Sequence, residues 1–136
     1  MADYKHILQI STSSENVLSH LHYFEKKYGK QDDTLLMHFI RYYNKYELTQ
    51  EILKKLCKYV NVDSKNKKGW TALMLAVRYS NKNSSLDTVK TLIEAGANLD
   101  LKSKAGWTAL MHAARYSDID SSLDTVKTLI EAGANW

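Results

Sequence analysis

The chain has 136 residues, 44% of them hydrophobic and 25% charged, with a formal net charge of +4. That balance fits one soluble globular domain, and the charge is well short of that of an evident nucleic-acid binder. There is no 18-residue apolar run to cross a membrane, Met1-Ala2-Asp3-Tyr4-Lys5-His6 lacks the apolar stretch of a signal peptide, and the single cysteine, Cys57, excludes an intramolecular disulfide and any multi-cysteine zinc site. An intracellular, cytoplasmic setting is the expectation. The charge is unevenly placed: residues 1–68 hold 12 Lys/Arg against 8 Asp/Glu, and residues 69–136 hold 7 against 7. Such lysine runs read first as a solvated face.

Along residues 1–31, Thr12-Ser13-Ser14-Glu15 forms a capping box ahead of Val17, Leu18, Leu21, Phe24 and Tyr28 at helical spacing, with Gly29 placed to end the helix. Tyr4–Ile10 reads as a shorter helix before it. This segment is expected to be a helical cap over the unit at 32–68.

From residue 32 onward the chain is repetitive. Gly69-Trp70-Thr71-Ala72-Leu73-Met74 returns 37 residues later as Gly106-Trp107-Thr108-Ala109-Leu110-Met111, and Gly69–Asn98 matches Gly106–Asn135 at 25 of 30 positions. Three of the five differences cluster at Asn81-Lys82-Asn83 against Asp118-Ile119-Asp120, as in an exposed loop on a shared scaffold. The same offset reaches back from Thr71–Tyr79 to Thr34–Tyr42, where Thr, Leu, Met, Arg and Tyr recur. Three units are therefore expected, at 32–68 (worn), 69–105 and 106–136.

Each unit reads as helix, loop, helix, extended connection. Thr71 and Thr108 sit at N-cap positions before a short helix with Leu73, Met74, Ala76 and Val77 on one buried face. Ser84 with Asp87, and Ser121 with Asp124, open a second helix, which Gly96 and Gly133 end. In the worn unit the second helix spans Gln50–Tyr59. A first helix of about two turns does not survive alone and must stack on neighbours.

This pattern resembles the ankyrin repeat. The family's Gly-x-Thr-Pro-Leu-His-x-Ala-Ala, its Val-x-x-Leu-Leu helix and its Gly-Ala-Asp/Asn are matched by Gly106–Ala114, Val126–Ile130 and Gly133-Ala134-Asn135. Ala stands for the family's Pro at 72 and 109, Met stands for its His at 74 and 111, and the unit exceeds the usual length of about 33 residues. Long units carrying Trp-Thr-Ala-Leu-Met and Arg-Tyr-Ser resemble the ankyrin proteins of giant viruses of amoebae. The resemblance implies an all-α solenoid of stacked helix–loop–helix units.

The search for chemistry returns little. His6, His20, His22, His38 and His112 show no His-x3-His spacing and no carboxylate or cysteine that completes a metal site. Cys57 lies on an amphipathic stretch and reads as core filler. No phosphate-binding Gly-rich loop is present. No catalytic residue, metal, cofactor or small-molecule substrate is expected.

What remains is a surface. In the ankyrin family the partner commonly meets the hairpin tips and the exposed face of the first helix. Here those positions are Lys67, Lys68, Trp70, Arg78 and Tyr79, then Lys104, Trp107, Arg115 and Tyr116, with Arg41 and Tyr42 in the worn unit. Trp, Tyr and Arg dominate interface energetics, but three Arg-Tyr pairs at 37-residue intervals fit a purely structural stacking ladder equally well. The resemblance implies a protein-binding scaffold or adaptor, a viral protein engaging a host factor if the sub-family likeness holds. The alternative is a weak binder of nucleic acid or anionic surfaces through the Lys-rich first half. The last residue, Trp136, aligns with Leu99, within a connection, so the last repeat reads as incomplete. Its outer side is expected to be apolar and open to self-association or to further repeats.

Overall fold

In a computed structural model, residues 27, 29–43, 53–54, 56–58, 60–78, 86–115 and 123–134 are described. The expected N-terminal cap lies almost wholly outside them, as do the capping Ser84 and Ser121, the variable loops at 81–83 and 118–120, and Trp136.

Five helices are present among the described residues: α1 (Leu35–Tyr43), α2 (Ala72–Arg78), α3 (Leu86–Glu94), α4 (Ala109–Arg115) and α5 (Leu123–Glu131). No strand occurs among the described residues, and the fold is an all-α stack of helix pairs. Helix α2 lies between α1 and α4; α3 backs α2, α5 backs α4, and α3 packs on α5. In the worn unit, residues 53, 54 and 56 are helical, with Leu53 and Leu56 buried.

The local signals explain where the helices begin and end. Thr34, Thr71 and Thr108 each accept a hydrogen bond on Oγ1 from the backbone N–H three residues on, at 3.2, 3.3 and 3.3 Å. Each satisfies one of the N–H groups left over at a helix start. At the other end, Ala97 N–H donates to Leu92 O at 3.1 Å and Gly96 N–H to Ile93 O at 3.0 Å, with the same pair of bonds from Ala134 and Gly133. This is the Schellman closure, with glycine in the left-handed residue.

Burial departs from the expected single face. Every residue from Ala72 to Val77 is buried, because α2 has a first helix on each side and α3 behind it. In α4 only Ala109, Leu110, His112 and Ala113 are buried. Met74 is 1% exposed and its counterpart Met111 is 48% exposed; Leu123 and Ile130 are 62% and 41% exposed. Three large apolar side chains of α4–α5 are thus exposed, on helices that also expose Arg115, Asp124, Lys127 and Glu131.

Between units the chain makes a tight tip. Asn66 N–H donates to Trp70 O and Ser103 N–H to Trp107 O, closing the two tips in the same way. One position in each tip is left-handed: Asp32 at φ 54°, Gly69 at 76° and Gly106 at 85°, each 37 residues from the next. Tips then bond to each other, Lys67 N–H to Gln31 O at 2.7 Å and Lys104 N–H to Lys68 O at 3.1 Å.

The two glycines separate strain from collision. A Cβ at Gly69 would stand 2.7 Å from the Lys104 backbone nitrogen, whereas one at Gly106 meets nothing within 4 Å. Gly106→Ala carries only the left-handed penalty, about 1–2 kcal/mol. Gly69→Ala adds displacement of the neighbouring tip and is expected to cost about 3 kcal/mol or more. Urea melts of the two variants check this, and equal losses would show that the tip-to-tip packing contributes nothing.

Candidate functional site

The tips and the C-terminal ends of the first helices share one side of the stack. Between the first two units they enclose a notch of about 110 Å³, lined by Gln31, Arg41, Asn66, Lys68, Trp70 and Leu75. Its walls are held by a polar relay. Asp33 is buried; its Oδ2 accepts from Arg41 Nε at 3.0 Å and its Oδ1 from Asn66 Nδ2 at 2.9 Å. Asn66 Oδ1 in turn accepts the backbone N–H groups of Lys68 and Trp70 at 3.0 and 3.1 Å. One carboxylate thus ties the end of α1 to the next tip and fixes where Trp70 stands.

Of the residues expected at a contact surface, Lys67, Lys68 and Lys104 are exposed on the tips and Arg115 is exposed at the end of α4. Lys67 Nζ lies 3.9 Å from Asp32 Oδ2, between two successive tips at the surface. Arg78 is half-buried, and Arg41 is half-buried and engaged with Asp33. Tyr79, Tyr116 and the side chain of Tyr42 lie outside the described residues, and the expected Arg-Tyr ladder with them.

The two tryptophans have a place of their own. Trp70 and Trp107 are half-buried and turned onto His112, with ring centroids at 4.5 and 5.2 Å and planes tilted by 50° and 42°. The imidazole on α4 is gripped by indoles from two successive tips, so the tryptophans belong to the packing between units as well as to the rim of the groove. Neither nitrogen of this buried ring has a hydrogen-bond partner. Its pKa is lowered from 6.5 to about 4, first by burial and then by the nearby positive charge of Arg78.

Sequence reasoning treated His112 only as a failed metal ligand. The available signal was the column His38–Leu75–His112 at 37-residue spacing, in which an apolar residue alternates with histidine. Gln31, Asp33 and Asn66 were missed because the bonds that join them across tips, Asn66 to Asp33 and Lys67 to Gln31, span 33 or more residues. Cys57 is half-buried, packs on the core, and has its thiol raised to about 11 by burial, which leaves it protonated at neutral pH. Among the described residues no group of three or more His, Cys, Asp or Glu is placed to hold a metal ion, and no helix is long and apolar enough to cross a membrane.

His112 gives the stack a pH dependence of defined sign. Above pH 6.5 the ring is neutral in both folded and unfolded chains, and its contribution to stability is complete. Below 6.5 the unfolded chain takes up a proton that the folded chain refuses until about pH 4. Stability therefore falls across that window, by up to about 1.4 kcal/mol per pH unit. Replacing the ring by the residue its counterpart carries, His112→Leu, is expected to remove this component and to leave melting at pH 7.5 unchanged or raised. Thermal melts of both proteins from pH 7.5 to 4 check it, and parallel curves would exclude the residue as the cause.

A family model described as Ankyrin repeats (3 copies) matches residues 8–103 and, in a second alignment, residues 36–136. No curated protein matches the chain. The family match spans most of the sequence and agrees with the stacked helix pairs, the threonine caps and the glycine closures. The chain belongs to the ankyrin-repeat family.

Proposed function

We propose that this chain is an intracellular adaptor that binds a partner protein through the groove formed by its tips and first helices. Ankyrin repeats are generally protein–protein interaction modules, and what directs the reading to this side of the molecule is the notch in which Arg41, Lys68 and Trp70 meet. Rigid aromatic and planar cationic groups lose little entropy on binding. The 37-residue unit with its Trp-Thr-Ala-Leu-Met and Arg-Tyr-Ser strings supports a place among the long-unit ankyrin proteins of giant amoebal viruses, with a host protein as partner. The outer side of α4–α5, with Met111, Leu123 and Ile130 exposed, is a second surface suited to self-association.

Arg115 and Trp107 make separable tests. Arg115 is exposed, so Arg115→Ala is expected to leave melting within about 0.5 kcal/mol of the parent while weakening capture of the partner by about 2 kcal/mol. Trp107 packs on His112, so Trp107→Ala is expected to lower both melting and capture. The measurement is capture from lysates of the source organism, identified by mass spectrometry and scored against the folded fraction of each variant. Capture that is indifferent to both substitutions would move the contact surface elsewhere.

A further inference from the structure

The net charge of the chain hides where the charge is. The three tips, residues 30–34, 61–70 and 98–107, together with the arginines that end α1, α2 and α4, carry six lysines and three arginines against four aspartates. Their balance is +5, whereas the whole chain carries +4. Among the described residues the tip side is therefore the cationic side, although residues 69–136 carry no net charge by sequence. All six lysines, Lys30, Lys65, Lys67, Lys68, Lys102 and Lys104, are exposed. Of the aspartates, only Asp33 is buried, and it is consumed by Arg41 and Asn66.

From this we infer that the groove accepts an extended acidic polypeptide segment, one carboxylate side chain per unit. The inference rests on the proposed binding groove and adds the chemical class of the partner. The notch between the first two units has the volume for one short carboxylate side chain, with Lys68 and the Arg41 guanidinium on its wall. At the next unit Arg78 stands 37 residues after Arg41 and acts electrostatically on His112, the counterpart of the notch residue Leu75; Lys68 itself stands there in the place of Gln31, and Ala105 in the place of Lys68. Adjacent packed helices lie about 8–10 Å apart and an extended chain advances about 3.3 Å per residue, so an acidic residue at every third position keeps register with the units.

Two observations favour a polypeptide over a nucleic acid. The tips interleave Asp32, Asp63 and Asp100 with their lysines, which repel a continuous phosphate chain but suit a peptide that offers N–H groups as well as carboxylates. The indoles of Trp70 and Trp107 are turned onto His112, so their rings are engaged where base stacking needs an open face.

The test is fluorescence anisotropy of the full chain with four labelled probes: a peptide with glutamate at every third position, one of the same composition with the glutamates clustered, one with glutamine throughout, and a single-stranded oligonucleotide of equal length. The spaced acidic peptide is expected to bind about tenfold tighter than the glutamine peptide and to weaken as salt is raised. Lys68→Glu with Lys104→Glu should weaken it about tenfold again, with Lys68→Gln and Lys104→Gln as the milder pair should the reversal impair folding. Equal binding of spaced and clustered peptides, or of acidic and neutral ones, overturns the inference. So does failure of every peptide while Arg115-sensitive capture of a partner protein persists, and in that case the groove remains the binding surface. Tighter binding of the oligonucleotide overturns both.

Discussion

A seven-residue helix has too few internal hydrogen bonds to hold itself in water, and every other feature of this chain depends on how that deficit is met. Helix α2 is stable because Ala72 through Val77 are withdrawn from solvent on all sides, by α1, α3 and α4. Such burial is available only if successive units keep a fixed spacing. The left-handed residue at positions 32, 69 and 106 turns each tip, and the backbone bonds from Lys67 to Gln31 and from Lys104 to Lys68 lock one tip on the next. The notch between the first two units is a by-product of that lock. Side chains on the tip side are brought into line because the core requires the units to be in line.

Much of this was readable from residue types alone. The threonine caps and the glycine closures depend on groups within six residues of one another, and short-range hydrogen bonding is what residue identity encodes most directly. The period of 37 residues then placed the helices side by side without further argument. The candidate site was readable in part. Lys67, Lys68, Lys104 and Arg115 stand exposed where the repeat put them, while Trp70 and Trp107 are shared between the groove and the packing of His112.

The rest was illegible for a physical reason. Asp33 stands where Trp70 and Trp107 stand in the later units, and its partners, Arg41 and Asn66, come from a helix end and from the next tip. Periodicity reports what units have in common, and it is silent where one unit substitutes an ion pair for an indole. The same holds for His112. Its lowered pKa comes from burial and from Arg78 of the preceding unit, a neighbour that only the stacking reveals. Charge was misleading in a related way. Counting by sequence halves placed the excess in the first half, whereas counting by side of the solenoid places it on the tips.

The exposed apolar side chains of α4–α5 bear on the contact surface proposed above. Among the described residues this helix pair is held by one neighbouring pair, whereas α2–α3 has α1 on one flank and α4 and α5 on the other. In a linear array, local stability is a unit's own contribution plus the interfaces it shares. Among the described residues α4–α5 therefore shares fewer interfaces than α2–α3, and less packing opposes its opening. For the contact surface proposed above, a ligand reaching as far as Trp107 and Arg115 would engage only the assembled fraction, and its apparent affinity would be scaled by that fraction. A body that covers Met111, Leu123 and Ile130 would raise that fraction and tighten such binding without touching the ligand.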